Sequence, residues 1–422
     1  MFLRSAREKY IFTSRSKLAI AALVVGFLAA LLAVSLRKMT EHYEEILFHK
    51  ATLHPLYLLI FPFFGLSLIY ILRQYLFKKK ENKGIKEVFE SNASGKPLPS
   101  YKIPSHFVNG LLTVSFGGST GIEVSTVVAT AAIGSLANEK EKIFRKYKTE
   151  LICAGITGGL TGLFCTPFAG LLFAYEVVSK KMSKAFIITN ILAAAIAFAF
   201  ITVIGEKPVF AMNISHWHVY AAPYFVLLGV LCGLHSVYLT KCVIFFKERF
   251  AGAGRHFYKI IIGAAAISLI IFLFPQLYGE GYHAITENIR NSGELALTFP
   301  KIMLFAGILF FKPIITSITL GAGGDGGVFA PSIFTGAFLG LLLAAVLNTF
   351  FDAGVIPVNF MVIGMAAMLS AAIHAPLTAL FLVCGLVDDY TLFLPIFIVC
   401  FISKHTAQIV YPYTVYSLPA KK

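Results

Sequence analysis

Phe116-Gly117-Gly118-Ser119-Thr120-Gly121-Ile122-Glu123-Val124-Ser125-Thr126 is the part of the chain around which the rest is organised. A glycine-rich turn leads into an apolar, small-residue helix running to about Gly134, with one carboxylate, Glu123, at its mouth. The first N–H groups of a helix have no intrahelical partner and carry partial positive charge, so a helix start binds anions. In a membrane chain, a helix that begins at bilayer depth is an ion site. Glu123 is itself an anion and can take the place of a diffusing one, which is the shape of a gate. A second stretch, Gly321-Ala322-Gly323-Gly324-Asp325-Gly326-Gly327-Val328-Phe329-Ala330-Pro331, repeats the pattern. If the two mouths face each other, backbone amides from both converge on one point.

The rest of the chain supplies a membrane setting. Of 422 residues, 57% are hydrophobic and 14% charged, with mean hydropathy +0.78. A soluble domain cannot hide that much apolar surface, so this is an all-α polytopic membrane protein. Leu18–Val34 and Tyr220–Tyr238 are long enough to span, while segments near Gly117, Gly155 and Gly323 are short or glycine-broken and read as partial helices. The net charge of +15 sits at segment ends: Lys78-Lys79-Lys80, Lys140–Lys148, Lys180–Lys184, Lys247–Arg255 and Lys421-Lys422. That is the positive-inside pattern of a lipid-embedded chain, not a nucleic-acid surface, and the excess favours an anionic substrate. The six cysteines lie in apolar segments without a CxxC pair and read as small core residues. His216 and His218 flank the single tryptophan, Trp217, and read as an interface belt, so no metal site is expected. Met1–Lys17 reads as a short interfacial helix, followed by a span to about Leu36, a polar loop over Glu41–Thr52 and a second span over Leu56–Phe77; Ser91–Ser105 reads as a loop.

The second half echoes the first. With Pro167 laid on Pro376, Gly155 falls on Gly364, Leu160 on Leu369 and Leu171 on Leu380. The glycine-rich mouths pair as well, Glu123 opposite Phe329, and Gly84-Ile85 has an echo at Gly281-Tyr282. Three similarities in one order are the signature of an internally repeated transporter with its site at the repeat interface. Gly279–Glu294 is acidic where the echoing segment around Lys83 is basic, so the halves, about 1–205 and 215–422, are expected to be inverted.

These residues resemble the CLC family of chloride channels and chloride/proton exchangers. Gly326-Gly327-Val328-Phe329-Ala330-Pro331 is similar to the family's GGxFAP helix start, Pro376-Leu377-Thr378 with Asp388-Asp389-Tyr390 to its PLT…TDNY segment, and Gly279-Glu280-Gly281-Tyr282 to a GxGY element. Gly121-Ile122-Glu123 matches GREGP at its glycine and glutamate, and Tyr416 stands where the family places a pore tyrosine. The resemblance implies that Glu123 is the gate, closing the outer route when ionised and swinging away when protonated. It implies that the amides of Val328 and Phe329, with the Tyr416 hydroxyl, hold a central anion, and that the amides of Ile122, Glu123, Val124 and Ala330 line an outer site. N–H dipoles hold an anion without trapping it. The resemblance also implies one transmembrane domain over 1–422 without cytosolic CBS domains, a homodimer with one path per subunit, and a bacterial inner membrane.

Three departures matter. Aligning Gly84-Ile85 with the family's GSGIP turn puts Lys83 at a serine that contacts the anion, so Lys83 is a candidate anion-binding residue that alters selectivity or gating. Glu176 matches the first of two paired family acids, while the second, a proton relay in exchangers, is Val177, so the usual relay is lost and Glu176 is expected to be structural. Ile122, Ser125 and Gly385 replace a family arginine, proline and acid. The expectation is transport of a small inorganic anion, chloride first, gated by Glu123 with weak or no proton coupling. The rivals are a proton-coupled exchanger using Lys83, transport of fluoride, nitrate or bicarbonate, and a transport-dead sensor. An enzyme is not expected: HExxH, P-loop and Cys/His nucleophile patterns are missing, Asp388-Asp389 reads as a polar helix end, and no cofactor is implied beyond the transported anion.

Overall fold

The computed structural model describes residues 2–78, 82–140, 142–214, 216–251, 256–290 and 298–417. Lys79, Lys80, Arg255, Glu294, Lys421 and Lys422 lie outside the described residues. The described residues are built of helices, and seven of these are long and apolar enough to cross a membrane, among them Ser16–Leu53, Leu56–Leu76, Phe299–Ala322 and Phe329–Phe351. Shorter apolar helices, Pro167–Ser179, Pro357–Ile373 and Pro376–Val387, fill the space between them. Partial helices of this kind survive in a bilayer because protein covers their ends: every residue from Asn359 to Ile373 is buried.

Two boundaries differ from the sequence expectation. The first helix runs unbroken from Phe2 to Leu53, so neither a separate interfacial helix over 1–17 nor the expected loop over Glu41–Thr52 is present. No glycine or proline occurs between Phe27 and His54, and Arg37 ties to Glu41 one turn on at 2.7 Å. Polar residues alone do not end a helix; Pro55 does. The loop expected over Ser91–Ser105 shrinks to the stretch between Ser94 and Lys102, because Gly95 ends one helix at φ 70° and Pro104 sits in the first turn of the next.

The repeat is visible in backbone detail. Lys148–Phe164 ends at Cys165 with φ 58° and hands over to a helix starting at Pro167. Pro357–Ile373 ends at His374 with φ 56° and hands over to Pro376. Helix pairs pack backbone to backbone in both halves: a Cβ at Gly155 would lie 2.2 Å from the Thr130 carbonyl, and one at Gly364 2.1 Å from the Gly336 carbonyl. Such approach is open only to glycine. The two glycine turns also match, with Gly118 N–H donating to Thr113 O at 2.8 Å and Gly324 N–H to Thr319 O at 2.9 Å. Between the turns, Gly121 and Gly327 form an antiparallel bridge, each N–H donating to the other's carbonyl at 3.2 and 3.0 Å. An antiparallel pairing of equivalent residues places a local two-fold axis between them, which is the geometry of inverted halves. One hydrophobic cluster runs from Ala33 to Tyr416 and takes in residues of both halves.

Candidate anion pathway

The bridge brings the two helix mouths together, as the glycine patterns imply. One helix opens at Glu123 and the other at Phe329. Thr126 is bonded back to the Ile122 carbonyl and Ser332 to the Val328 carbonyl, so the amides before them in each helix point out of its mouth. The turns are pinned from below. Asp325, 4% exposed, holds the His106 ring at 3.0 Å, accepts from Asn82 Nδ2 at 2.7 Å, and its N–H donates to Thr113 Oγ1 at 2.9 Å. Thr120 Oγ1 donates to the Asp325 carbonyl at 3.2 Å, so the first turn is tied to the second.

Glu123 is 1% exposed. Its side chain folds back over its own turn: a Cβ at Gly121 would lie 1.8 Å from Glu123 Oε2 and 2.8 Å from Ala330 Cβ. The carboxylate therefore sits at the facing mouths, beside the amides of Glu123 and Ala330. Tyr282 Oη donates to Oε1 at 2.9 Å, whereas Oε2 is buried without a hydrogen-bond partner. The Ile122 amide, expected to line the outer anion site, is occupied instead: it donates to Glu280 Oε1 at 2.9 Å. Tyr416 is 9% exposed with its hydroxyl unpartnered. A Cβ at Gly327 would lie 3.6 Å from that hydroxyl, which also approaches the Val328 amide. Val328 and Phe329 are buried at 1% and 0%.

A cavity of about 30 Å³ lies against Gly84, Val124, Gly327, Val328 and Tyr416. It adjoins a vestibule of about 910 Å³ that carries Arg73, Lys83, Lys86, Lys247 and Lys259 against one acid, Asp325. Lys83, Gly84, Lys86 and Gly326 line both, so the two cavities share a wall. A concave surface of one sign, walled by low dielectric, concentrates the opposite ion. The Gly84 turn reaches the mouth, a Cβ there lying 3.5 Å from Val124. The Lys83 side chain is 61% exposed, with its ammonium 3.8 Å from Glu90. Glu176 caps the Pro376–Val387 helix: it accepts from the Thr378 amide at 2.8 Å, the Thr378 hydroxyl at 2.7 Å and the Leu377 amide at 3.3 Å. That is the structural role expected of it. Val177 beside it is buried at 8%. Asp389 accepts from the Ile214 and Thr391 amides at 2.9 and 2.7 Å, closing a helix end.

Sequence reading passed over Lys312 and Glu44 and gave Glu280 and Tyr282 no task. Lys312 is 0% exposed in the middle of a spanning helix. An ionisable residue inside an apolar run is itself a signal of function.

A profile of the voltage gated chloride channel family matches residues 64–408, and the chain belongs to that family. It is 28% identical over 341 residues to the H(+)/Cl(-) exchange transporter ClcA of Vibrio vulnificus (strain YJ016), covering 77% of this chain and 71% of that one. It is 26% identical over 362 residues to a putative chloride channel protein, ClcB-like, of Ralstonia nicotianae, covering 83% and 82%. The fold superposes on a CLC-type fluoride/proton antiporter with a TM-score of 0.80, at 24% identity over 95% of this chain and 97% of that one. A slow cyanobacterial Cl-/H+ antiporter superposes at 0.79, with 20% identity.

Proposed function

We propose that this protein moves a small inorganic anion across a bacterial inner membrane through a path gated by Glu123. The observation that carries the reading is the Glu123 carboxylate, seated between two facing helix mouths in the place an anion would take. The vestibule cations, Lys83 among them, draw the anion in. The amides of Val328 and Phe329 and the Tyr416 hydroxyl hold it centrally, and those of Val124 and Ala330 receive it further out. Dipoles rather than a full charge at the seat permit release. Protonated Glu123 loses its attraction to the amides and leaves the seat. Ionised, it competes with the anion and closes the path.

Coupling to protons is weak in this reading, because Val177 cannot carry a proton from the side of the vestibule. The names of the relatives favour a second reading, a proton-coupled exchanger of chloride or of an anion such as fluoride. The unit of function is taken to be a homodimer, working as a transporter rather than an enzyme or a silent sensor. Purified protein in liposomes tests all of this. Radiotracer chloride and fluoride uptake down a gradient is expected. A pH gradient alone is expected to drive little uptake, and strong pumping by it would install the exchanger reading. Absence of flux for any small anion would leave the sensor.

A further inference from the structure

Beside the Ile122–Glu123 turn, and outside the lining of the basic vestibule, lies a buried ionic cluster that anion conduction by itself does not need. Glu280 is 5% exposed, and its Oε1 accepts the Ile122 amide at 2.9 Å, one residue from the gate. Its own amide donates to Glu44 Oε1 at 3.1 Å. Glu44 is half-buried and stands one turn beyond the exposed Glu41, so along the first helix the acids step from exposed to half-buried toward the Glu280 turn. Lys312 is 0% exposed; its Nζ donates to the carbonyls of Gly279 and Glu280 at 3.1 and 3.2 Å and lies 4.5 Å over the Phe334 ring. The charged or titratable groups around Glu280 are Glu41 and Glu44 on the first helix, Glu123, Tyr282 and His283 on the following helix, Tyr278 in the turn, and Lys312. The Phe329–Phe351 helix faces the cluster with Phe334, which is uncharged.

Charge counting makes the cluster unusual. Glu44, Glu280 and Glu123 together with one buried ammonium hold two net negative charges when every acid is ionised. Like charges in a low-dielectric interior repel strongly, so such a group shares protons. A proton has a ready reason to be there, since Glu123 must gain one to leave its seat.

We propose that Glu280 is a second proton-carrying residue of the gate, loaded from the outer face through Glu44, with Lys312 as its fixed counter-charge. The inference rests on Glu123 acting as the gate. In each transfer an O–H bond breaks on one carboxyl and forms on the next, from Glu44 to Glu280 to Glu123, and the net charge of the cluster is unchanged. Ionised Glu280 repels ionised Glu123, so the two acids compete for protons and the gate opens at a higher outer pH than a lone carboxyl would permit.

The test uses full-length protein with Glu280→Gln and Lys312→Met. Glutamine keeps the acceptor for the Ile122 amide and removes the charge. In liposomes, Glu280→Gln is expected to move the outer-pH profile of anion flux to the acid side by about one unit, on the order of tenfold in proton concentration. Lys312→Met, which removes a positive charge, is expected to move it to the alkaline side. A purely structural role does not give opposite signs. Infrared titration of the protonated-carboxyl band in purified protein supplies a readout independent of transport. Glu280→Gln is expected to lose a titrating band that Glu123→Gln retains. An unchanged band together with an unshifted profile overturns the proposal. If the wild type carries no anion, the transport reading fails and the infrared comparison alone decides on Glu280.

Discussion

The Tyr282 hydroxyl donates to Glu123 Oε1 at 2.9 Å and is the only side-chain hydrogen bond found on that carboxylate among the described residues. Phe210 packs edge-on against the Tyr282 ring at 5.2 Å, which fixes its direction. The tyrosine therefore acts as a latch on the seated glutamate. A hydrogen bond to a charged group contributes about 1.5–3 kcal/mol, roughly ten- to a hundredfold in an equilibrium. Tyr282→Phe is expected to raise anion flux at neutral pH by a factor in that range while leaving permeability ratios unchanged. Unaltered flux would mean that the latch is idle.

In the proposed mechanism, Glu123→Gln removes the charge that competes with the anion. Its flux is expected to lose dependence on outer pH and to persist at alkaline pH, where the wild type closes. Efflux assays across a pH series check this, and a mutant as pH-sensitive as the parent would move the gate elsewhere.

Gly121 is the floor on which the Glu123 carboxylate rests. A Cβ there would fall 1.8 Å from Glu123 Oε2 and 2.8 Å from Ala330 Cβ. Gly121→Ala is expected to displace the carboxylate, raise resting flux, and lower thermal stability by an overpacking cost of about 1–3 kcal/mol. Combined with Glu123→Gln it should add little further flux, since both act on one event. Additive effects would refute a shared mechanism.

Lys83 pairs loosely with Glu90 at 3.8 Å and is mostly exposed. Charge of that kind steers ions and is screened over about 10 Å at 0.1 M salt. Lys83→Ser is expected to reduce flux at low ionic strength, to lose that effect in high salt, and to keep the wild-type permeability ratios. A changed ratio would place the ammonium at the central anion itself.

Glu176 takes three hydrogen bonds at the start of the Pro376–Val387 helix. Losing a helix cap costs about 1–2 kcal/mol. Glu176→Ala is expected to unfold at lower temperature with unaltered proton dependence of transport, and a change in that dependence would make it a proton carrier after all.

How much of this was legible beforehand differs from element to element. The mouths at Glu123 and Phe329 were legible because glycine before an apolar small-residue run has few other meanings in a membrane chain. The handover at Pro167 and Pro376 was legible because proline marks a helix start wherever it falls. The Glu41–Thr52 segment is helical where its polar composition suggests a loop, because without Gly or Pro nothing there ends the helix. Lys312 was visible as a charge in an apolar run and went unused.

Composition and local pattern suffice to read a bilayer chain, a doubled architecture and two glycine-led helix starts with one acid beside them. These follow from composition and local backbone rules, which act over a few residues. Tertiary structure alone decided which partners those groups meet. Glu280 takes the Ile122 amide, Tyr282 latches Glu123, and Lys312 lies beneath the Gly279–Glu280 turn. Residues so far apart along the chain are joined only by helix packing, and in a low-dielectric interior the nearest charge or dipole sets what each group does.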